Sequence, residues 1–185
     1  MFQADQTGMY RWPLVRVEVH GETEIVLLSQ KFLPLTVHWS RRSMLCAGDN
    51  CALCSWLPAR GLYYVACICC GRVSMLELAS LSSSYLQQHC KLLHGGMRAG
   101  LKIRLSRSSR KAPVHGEVVG ELSGVVAVEV SELAPRVMAL YQMPGPNPDE
   151  AFEIWESRLC QLAQRRAEAE VKRLSEGVAG RVAGR

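Results

Sequence analysis

Three cysteines and a histidine lie close together in the run His38-Trp39-Ser40-Arg41-Arg42-Ser43-Met44-Leu45-Cys46-Ala47-Gly48-Asp49-Asn50-Cys51-Ala52-Leu53-Cys54. Cys51 and Cys54 form a CxxC knuckle, which lets two thiolates converge on one ion at about 2.3 Å each. Cys46 and His38 complete four donors within seventeen residues, and Gly48, Asp49 and Asn50 suit a tight turn between thiolates. Four protein donors with no open position define a structural zinc site rather than a catalytic one. The plain alternative is that these are ordinary buried cysteines. The fourth ligand is open at this level, since Cys67, Cys69 or Cys70 can stand in for His38.

Other chemistry is weakly signalled. Cys67, Cys69 and Cys70 with His89, Cys90 and His94 would form a second metal site only if a helix lay against a strand, and packing as small hydrophobes is the better reading. The chain has no GxSxG, no Walker loop and no paired-carboxylate signature, so a non-enzymatic role is expected.

The elements that position the cluster are mainly β. Leu14–Val19 alternates and, with Thr23–Ser29 across His20-Gly21-Glu22, reads as a hairpin. Phe32–Trp39 carries the β pattern into the metal loop. Gly61–Cys70 reads as a strand with Tyr63, Val65, Cys67 and Cys69 on one face and Tyr64, Ala66, Ile68 and Cys70 on the other. Arg72–Leu78 pairs with it across Gly71. A helix is expected over about 82–93, capped by Ser82 or Ser83 and ended by Gly95-Gly96. Leu101–Arg107 alternates strictly between apolar and polar, mostly basic, side chains. Residues 112–130 read as two short strands in which Gly116, Gly120 and Gly124 mark bulges or close approaches. These elements suggest a small barrel.

The stretch 143–148, Met-Pro-Gly-Pro-Asn-Pro, is a linker or stiff turn, because repeated X-Pro steps exclude helix. It divides a β domain of residues 1–142 from a long amphipathic helix at 149–176, with Phe152, Trp155, Leu159, Leu162 and Leu174 near one stripe. That stripe either covers the domain or meets another subunit or protein, and 177–185 is expected to be disordered.

At 185 residues the chain holds one domain of ordinary size with an appended segment. The +5 net charge lies entirely in residues 1–148, which hold 15 Lys/Arg and 10 Asp/Glu, while residues 149–185 hold seven of each. Arg98–Lys111 carries six basic residues and no acid, and Arg41 and Arg42 sit beside Trp39. That distribution suits a polyanion; a solvated basic loop is the plainer alternative. No apolar run reaches the roughly 18 residues that span a bilayer, and Met1–Tyr10 lacks the layout of a signal peptide. Cytoplasmic placement is the expectation.

The order of strand, His-Trp, basic pair, Cys-x-Gly-x-x-Cys-x-x-Cys, tyrosine-rich strand and basic strand leading into Lys111-Ala112-Pro113-Val114 resembles phage-type single-stranded DNA-binding proteins that carry zinc in an oligonucleotide-binding (OB) barrel. The resemblance covers roughly residues 12–130. It implies an OB-like barrel with an inserted zinc loop, the ligands His38, Cys46, Cys51 and Cys54, and a part in DNA replication or recombination. The acidic C-terminal tail of that family is not matched here. Independently of the family, single strands bind where cations track phosphates and aromatic faces stack on bases. The candidates are Arg41, Arg42, Lys102, Arg104, Arg107, Arg110 and Lys111 for phosphates, and Trp39, Trp56, Tyr63 and Tyr64 for stacking. The expected partner is single-stranded DNA or RNA; the competing reading is a zinc-stabilised adaptor that docks through its C-terminal helix.

Overall fold

The computed structural model describes residues 17–19 and 21–182. Seven strands form one mostly antiparallel sheet: β1 (Gly21–Leu27), β2 (Leu33–Ser40), β3 (Arg42–Leu45), β4 (Ala59–Cys69), β5 (Arg72–Ala79), β6 (Leu101–Arg107) and β7 (His115–Glu121). The order is β3-β2-β4-β1-β6-β7, with β5 paired to β4 beside this path. Three helices complete the described residues: α1 (Ser80–His94), α2 (Val130–Leu140) and α3 (Phe152–Val182).

The expected β-rich architecture is present, but the barrel is not. Closure requires the terminal strands of a sheet to pair, and here β3 and β7 end an open order. The segment from which a closing strand would have come does not extend: residues 125–129 are irregular, and the next stretch coils into α2. The expected first hairpin is also replaced. Ile25 and Val26 of β1 are paired on both sides, with Cys69 and Ile68 of β4 and with Ile103 and Lys102 of β6. Val17–Val19 lie outside the strands, with the Val17 N–H donating to Met75 O at 2.9 Å; residues 14–16 and 20 lie outside the described residues.

The chain folds into two compact units. The first comprises the described residues up to Leu33 together with Tyr63–Leu133. Its core joins Ile25 and Leu27 of β1, Val65 and Cys67 of β4, Leu76 and Leu78 of β5, Leu86 and Cys90 of α1, and Leu101, Ile103 and Leu105 of β6. The strict alternation of β6 places those three side chains in the core, as a half-buried strand requires. Gly116 of β7 faces Leu86 and Ile103 so closely that a Cβ there would lie 2.8 Å and 3.2 Å from their methyl carbons, so glycine is what lets α1 pack down on the strand. α1 ends at Gly95, whose left-handed φ of 72° suits a residue without Cβ.

The second unit comprises Pro34–Leu62 and the described residues from Ala134 onward. This division does not follow the sequence boundary at 142/143. The Pro-Gly stretch is a clamped return: Trp155 Nε1–H donates to Pro144 O at 2.9 Å, Arg158 donates to Gly145 O and Glu150, and Arg166 donates to the Tyr141 and Gln142 carbonyls. α3 runs past Gly177 to Val182, longer than the helix expected at 149–176, so residues 177–182 are helical and 183–185 lie outside the described residues. Its buried positions Trp155, Leu159, Ala163 and Ala167 recur every four residues, a row that follows one face of a helix.

Candidate metal centre

β2 and β3 form a ribbon that turns at Arg41, with His38 opposite Met44 and Trp39 opposite Ser43. Side chains of paired residues share a face, so His38 and Met44 lie buried on one side while Trp39 and Ser43 are exposed on the other. The chain then turns at Gly48, whose φ is 85°, and a 3₁₀ turn over Ala52–Ser55 brings back Cys51 and Cys54. The Cys51 N–H donates to Gly48 O at 3.0 Å and the Cys54 N–H to Cys51 O at 3.1 Å.

These elements place His38, Cys46, Cys51 and Cys54 with all four donor atoms within 4.8 Å of one another. The Sγ atoms of Cys46 and Cys54 are 3.7 Å apart, and His38 Nε2 is 3.6 Å from the Sγ of both Cys51 and Cys54. A tetrahedral ion with thiolate bonds of about 2.3 Å and an imidazole bond of about 2.1 Å sets S···S at about 3.8 Å and S···N at about 3.6 Å. These three spacings match such a shell, so the cluster could hold one metal ion. His38 Nδ1 donates to Leu57 O at 3.1 Å, and Nε2 faces the cysteines. His38 is therefore the fourth member of the set; Cys67, Cys69 and Cys70 lie in the other unit.

The electrostatics of the three thiols differ. Burial pushes the Cys46 thiol up to about 12. Burial opposes a thiolate at Cys51 too, but hydrogen bonds from the Ala47 and Leu53 backbone and from the Cys46 and Cys54 thiols together hold that thiol below its usual value. A bound cation deprotonates coordinating thiols outright.

α3 covers the knuckle. Ala167 packs with Met44, Cys51 and Leu53, flanked by Val171 and Leu174. A small side chain at Ala167 allows the helix to approach the metal loop, so this alanine is a contact position. A polar contact holds the same face: Arg173 and the Ser40 hydroxyl both donate to Glu170. Arg173, then Ser40 and Arg41, hold the Glu170 carboxyl down to about 2. A depressed carboxylate stabilises the folded state above its unfolded pKa, and that contribution disappears as pH falls through the folded value. The advantage of wild type over Glu170→Gln in urea unfolding is therefore expected to be about 2 kcal/mol at pH 7, after allowance for the partly exposed Arg173, and to vanish between about pH 5 and pH 2.

The other expected contacts separate. Trp39 and Trp56 are 61% and 44% exposed, and Arg41, Arg42 and Arg60 are exposed in the same unit. Arg60 was not among the expected contacts, because it stands alone in sequence without a neighbouring cation. Tyr64 is fully buried, with its hydroxyl donating to Glu77 at 2.6 Å, and offers no face to a base. Tyr63 is half-buried, edge-on to Phe32 with ring centres 5.9 Å apart. The cationic face of β6 is compensated by its neighbours: Arg104 pairs in register with Glu24 and Glu117 and makes an ion pair with Glu24 at 3.2 Å. Lys102 is half-exposed beside it; Arg107 donates to Ala112 O at 2.9 Å, while Arg110 and Lys111 are exposed. The grouping of Cys67 and Cys90 with His89 and His94 does not form a metal site among the described residues: Cys67 and Cys90 are core residues, and His89 Nε2 accepts the Val118 N–H.

The chain matches no protein-family model, no curated protein and no solved structure. No helix among the described residues is long and apolar enough to cross a membrane.

Proposed function

We propose that the ion is structural zinc and that the metal-ordered corner binds single-stranded nucleic acid with little regard to sequence. Three thiolates and an imidazole in a closed tetrahedral arrangement suit zinc better than a hard cation, which favours oxygen donors. The observation that carries the nucleic-acid reading is the exposure of Trp39 and Trp56 on the unit that also presents Arg41, Arg42 and Arg60. Trp39 follows His38 directly and Trp56 precedes Leu57, and the hydrogen bond from the His38 ring to the Leu57 carbonyl links the two segments. The ion thus orders the segments that carry both indole rings. An indole in water has no packing role to explain it, whereas each base stacked on such a ring contributes about 1–3 kcal/mol.

The surface proposed is the metal corner, and it needs no closed barrel. Arg110 and Lys111 are secondary cations, and Arg104 is the weakest candidate because Glu24 and Glu117 flank it. The adaptor reading is less well supported, because the apolar row of α3 is buried within its own unit, leaving Ile154 and Val178 as its exposed large hydrophobics among the described side chains.

Anisotropy of a labelled single-stranded oligonucleotide, beside its duplex, tests the reading. Binding is expected to favour the single strand and to weaken with salt by a log–log slope of about −0.7 per neutralised phosphate. Trp39→Ala and Trp56→Ala are each expected to weaken binding by roughly five- to 150-fold, the equivalent of one lost stack, without moving the melting temperature. Equal, weak binding to both nucleic-acid forms sinks the proposal.

A further inference from the structure

The hairpin between β4 and β5 contains a second thiol arrangement, away from the knuckle. Its two-residue loop is Cys70-Gly71, with φ of 50° and 72°. Positive φ at both central positions is a type I′ turn, whose first position favours Asn, Asp or Gly. A cysteine there holds a left-handed conformation that is unfavourable for its side chain. The loop would be better served by asparagine, so the cysteine calls for a reason other than folding.

The neighbouring side chain supplies one. Cys69 is half-buried and packs against the core of the first unit, Cys70 is exposed, and their Sγ atoms are 3.9 Å apart. A disulfide is poorly suited to them. Neighbouring Cα atoms across a trans peptide are about 3.8 Å apart, short of the roughly 4.4–6.8 Å that disulfides span. A bridging ion needs no such change: with thiolate bonds of about 2.3 Å, the 3.9 Å separation subtends an angle of about 116° at the ion. That is close to trigonal.

The His38 set is the sole group of three or more His, Cys, Asp or Glu donors found close enough to share an ion among the described residues. Two thiolates would therefore leave one trigonal position open to an external ligand. Zinc, which takes four ligands in structural sites, is poorly held by two; a soft ion content with few thiolates is held better. We propose that Cys69 and Cys70 form an open, two-thiolate chelate for a soft monovalent ion of the copper(I) class. Binding forms two S–Cu bonds and releases the two thiol protons to solvent, with no change in oxidation state. The open position lets an external thiol deliver or remove the ion.

The test uses full-length, metal-loaded protein under nitrogen, titrated with copper(I) held as its bicinchoninate complex, with copper and zinc per chain read by mass spectrometry. Wild type is expected to take up one equivalent of copper more than Cys70→Asn, with the same zinc content in both. Because asparagine suits the turn, Cys70→Asn is expected to melt at or above the wild-type temperature, which separates lost binding from misfolding. Equal uptake by the two proteins, no uptake by wild type, or copper gained only as zinc is lost overturns the proposal.

Discussion

Cys54→Ser is expected to abolish binding of one metal equivalent and to unfold the knuckle, although Cys54 is an exposed residue. Substitutions at exposed positions ordinarily change stability by no more than about 0.5 kcal/mol, so packing predicts almost no effect. Coordination predicts a large one. Structural zinc binds with an apparent free energy of about 10–16 kcal/mol, and an open fourth position forfeits much of it. The loss should extend to α3, because Ala167 packs on Met44, Cys51 and Leu53. The expected result is a loss of helical ellipticity at 222 nm, a fall of more than about 3 kcal/mol in stability and no retained metal, matched by chelation of wild type. Cys160→Ser, at an exposed thiol on α3 outside the ligand set, should behave as wild type. If Cys54→Ser remains within about 0.5 kcal/mol of wild type, the four residues do not hold an ion. In that case the ordering of Trp39 and Trp56 loses its physical cause.

Gly100→Ala is expected to destabilise the first unit by about 4 kcal/mol, from two independent causes. Gly100 has a φ of 95°, a conformation that costs an L-residue about 1–2 kcal/mol or more. A Cβ there would also lie 2.2 Å from Leu122 O, a backbone atom that a side-chain rotation cannot move aside. The surrounding bonds hold the approach: the Gly100 N–H donates to Leu27 O and the Leu122 N–H to Gly100 O, each at 2.8 Å. Any relief therefore breaks pairing at the β1, β6 and β7 ends. Denaturant unfolding measures the effect, with Gly177→Ala as the control. At Gly177, within α3, a Cβ meets nothing within 4 Å, and alanine should stabilise by about 1 kcal/mol through helix propensity. A Gly100→Ala protein within 1 kcal/mol of wild type would mean that this turn has another geometry.

The features legible in the sequence share a short range. The metal set lies within seventeen residues, so spacing alone brings its donors within reach of one another. The alternation of β6 states which side chains enter the core, and the glycine pair after His94 marks the end of α1. Gly116 was readable as a close approach, though only Leu86 and Ile103 show what approaches. α2 was missed because Pro135 interrupts its pattern; the helix accommodates it at the loss of one backbone donor. Tyr63 and Tyr64 look equivalent as neighbours on a strand. Burial separates them, because Tyr64 has a carboxylate partner in Glu77 on the adjacent hairpin strand.

By itself, then, the sequence determined the three clustered cysteines of the candidate metal site, the β-rich character and the faces of individual strands, because donor spacing and the alternation of side chains are local properties of a chain; the fold singled out His38 as their fourth member. Tertiary structure decided whether the sheet closes, what covers α3, and which charges are left unopposed. These outcomes depend on register between distant segments: β6 looks cationic until pairing sets Glu24 and Glu117 beside Arg104, and the apolar row of α3 looks unclaimed until Ala167 meets the metal loop. No local pattern encodes such a juxtaposition, since the hydrophobic and electrostatic terms that select it act only once the segments have met.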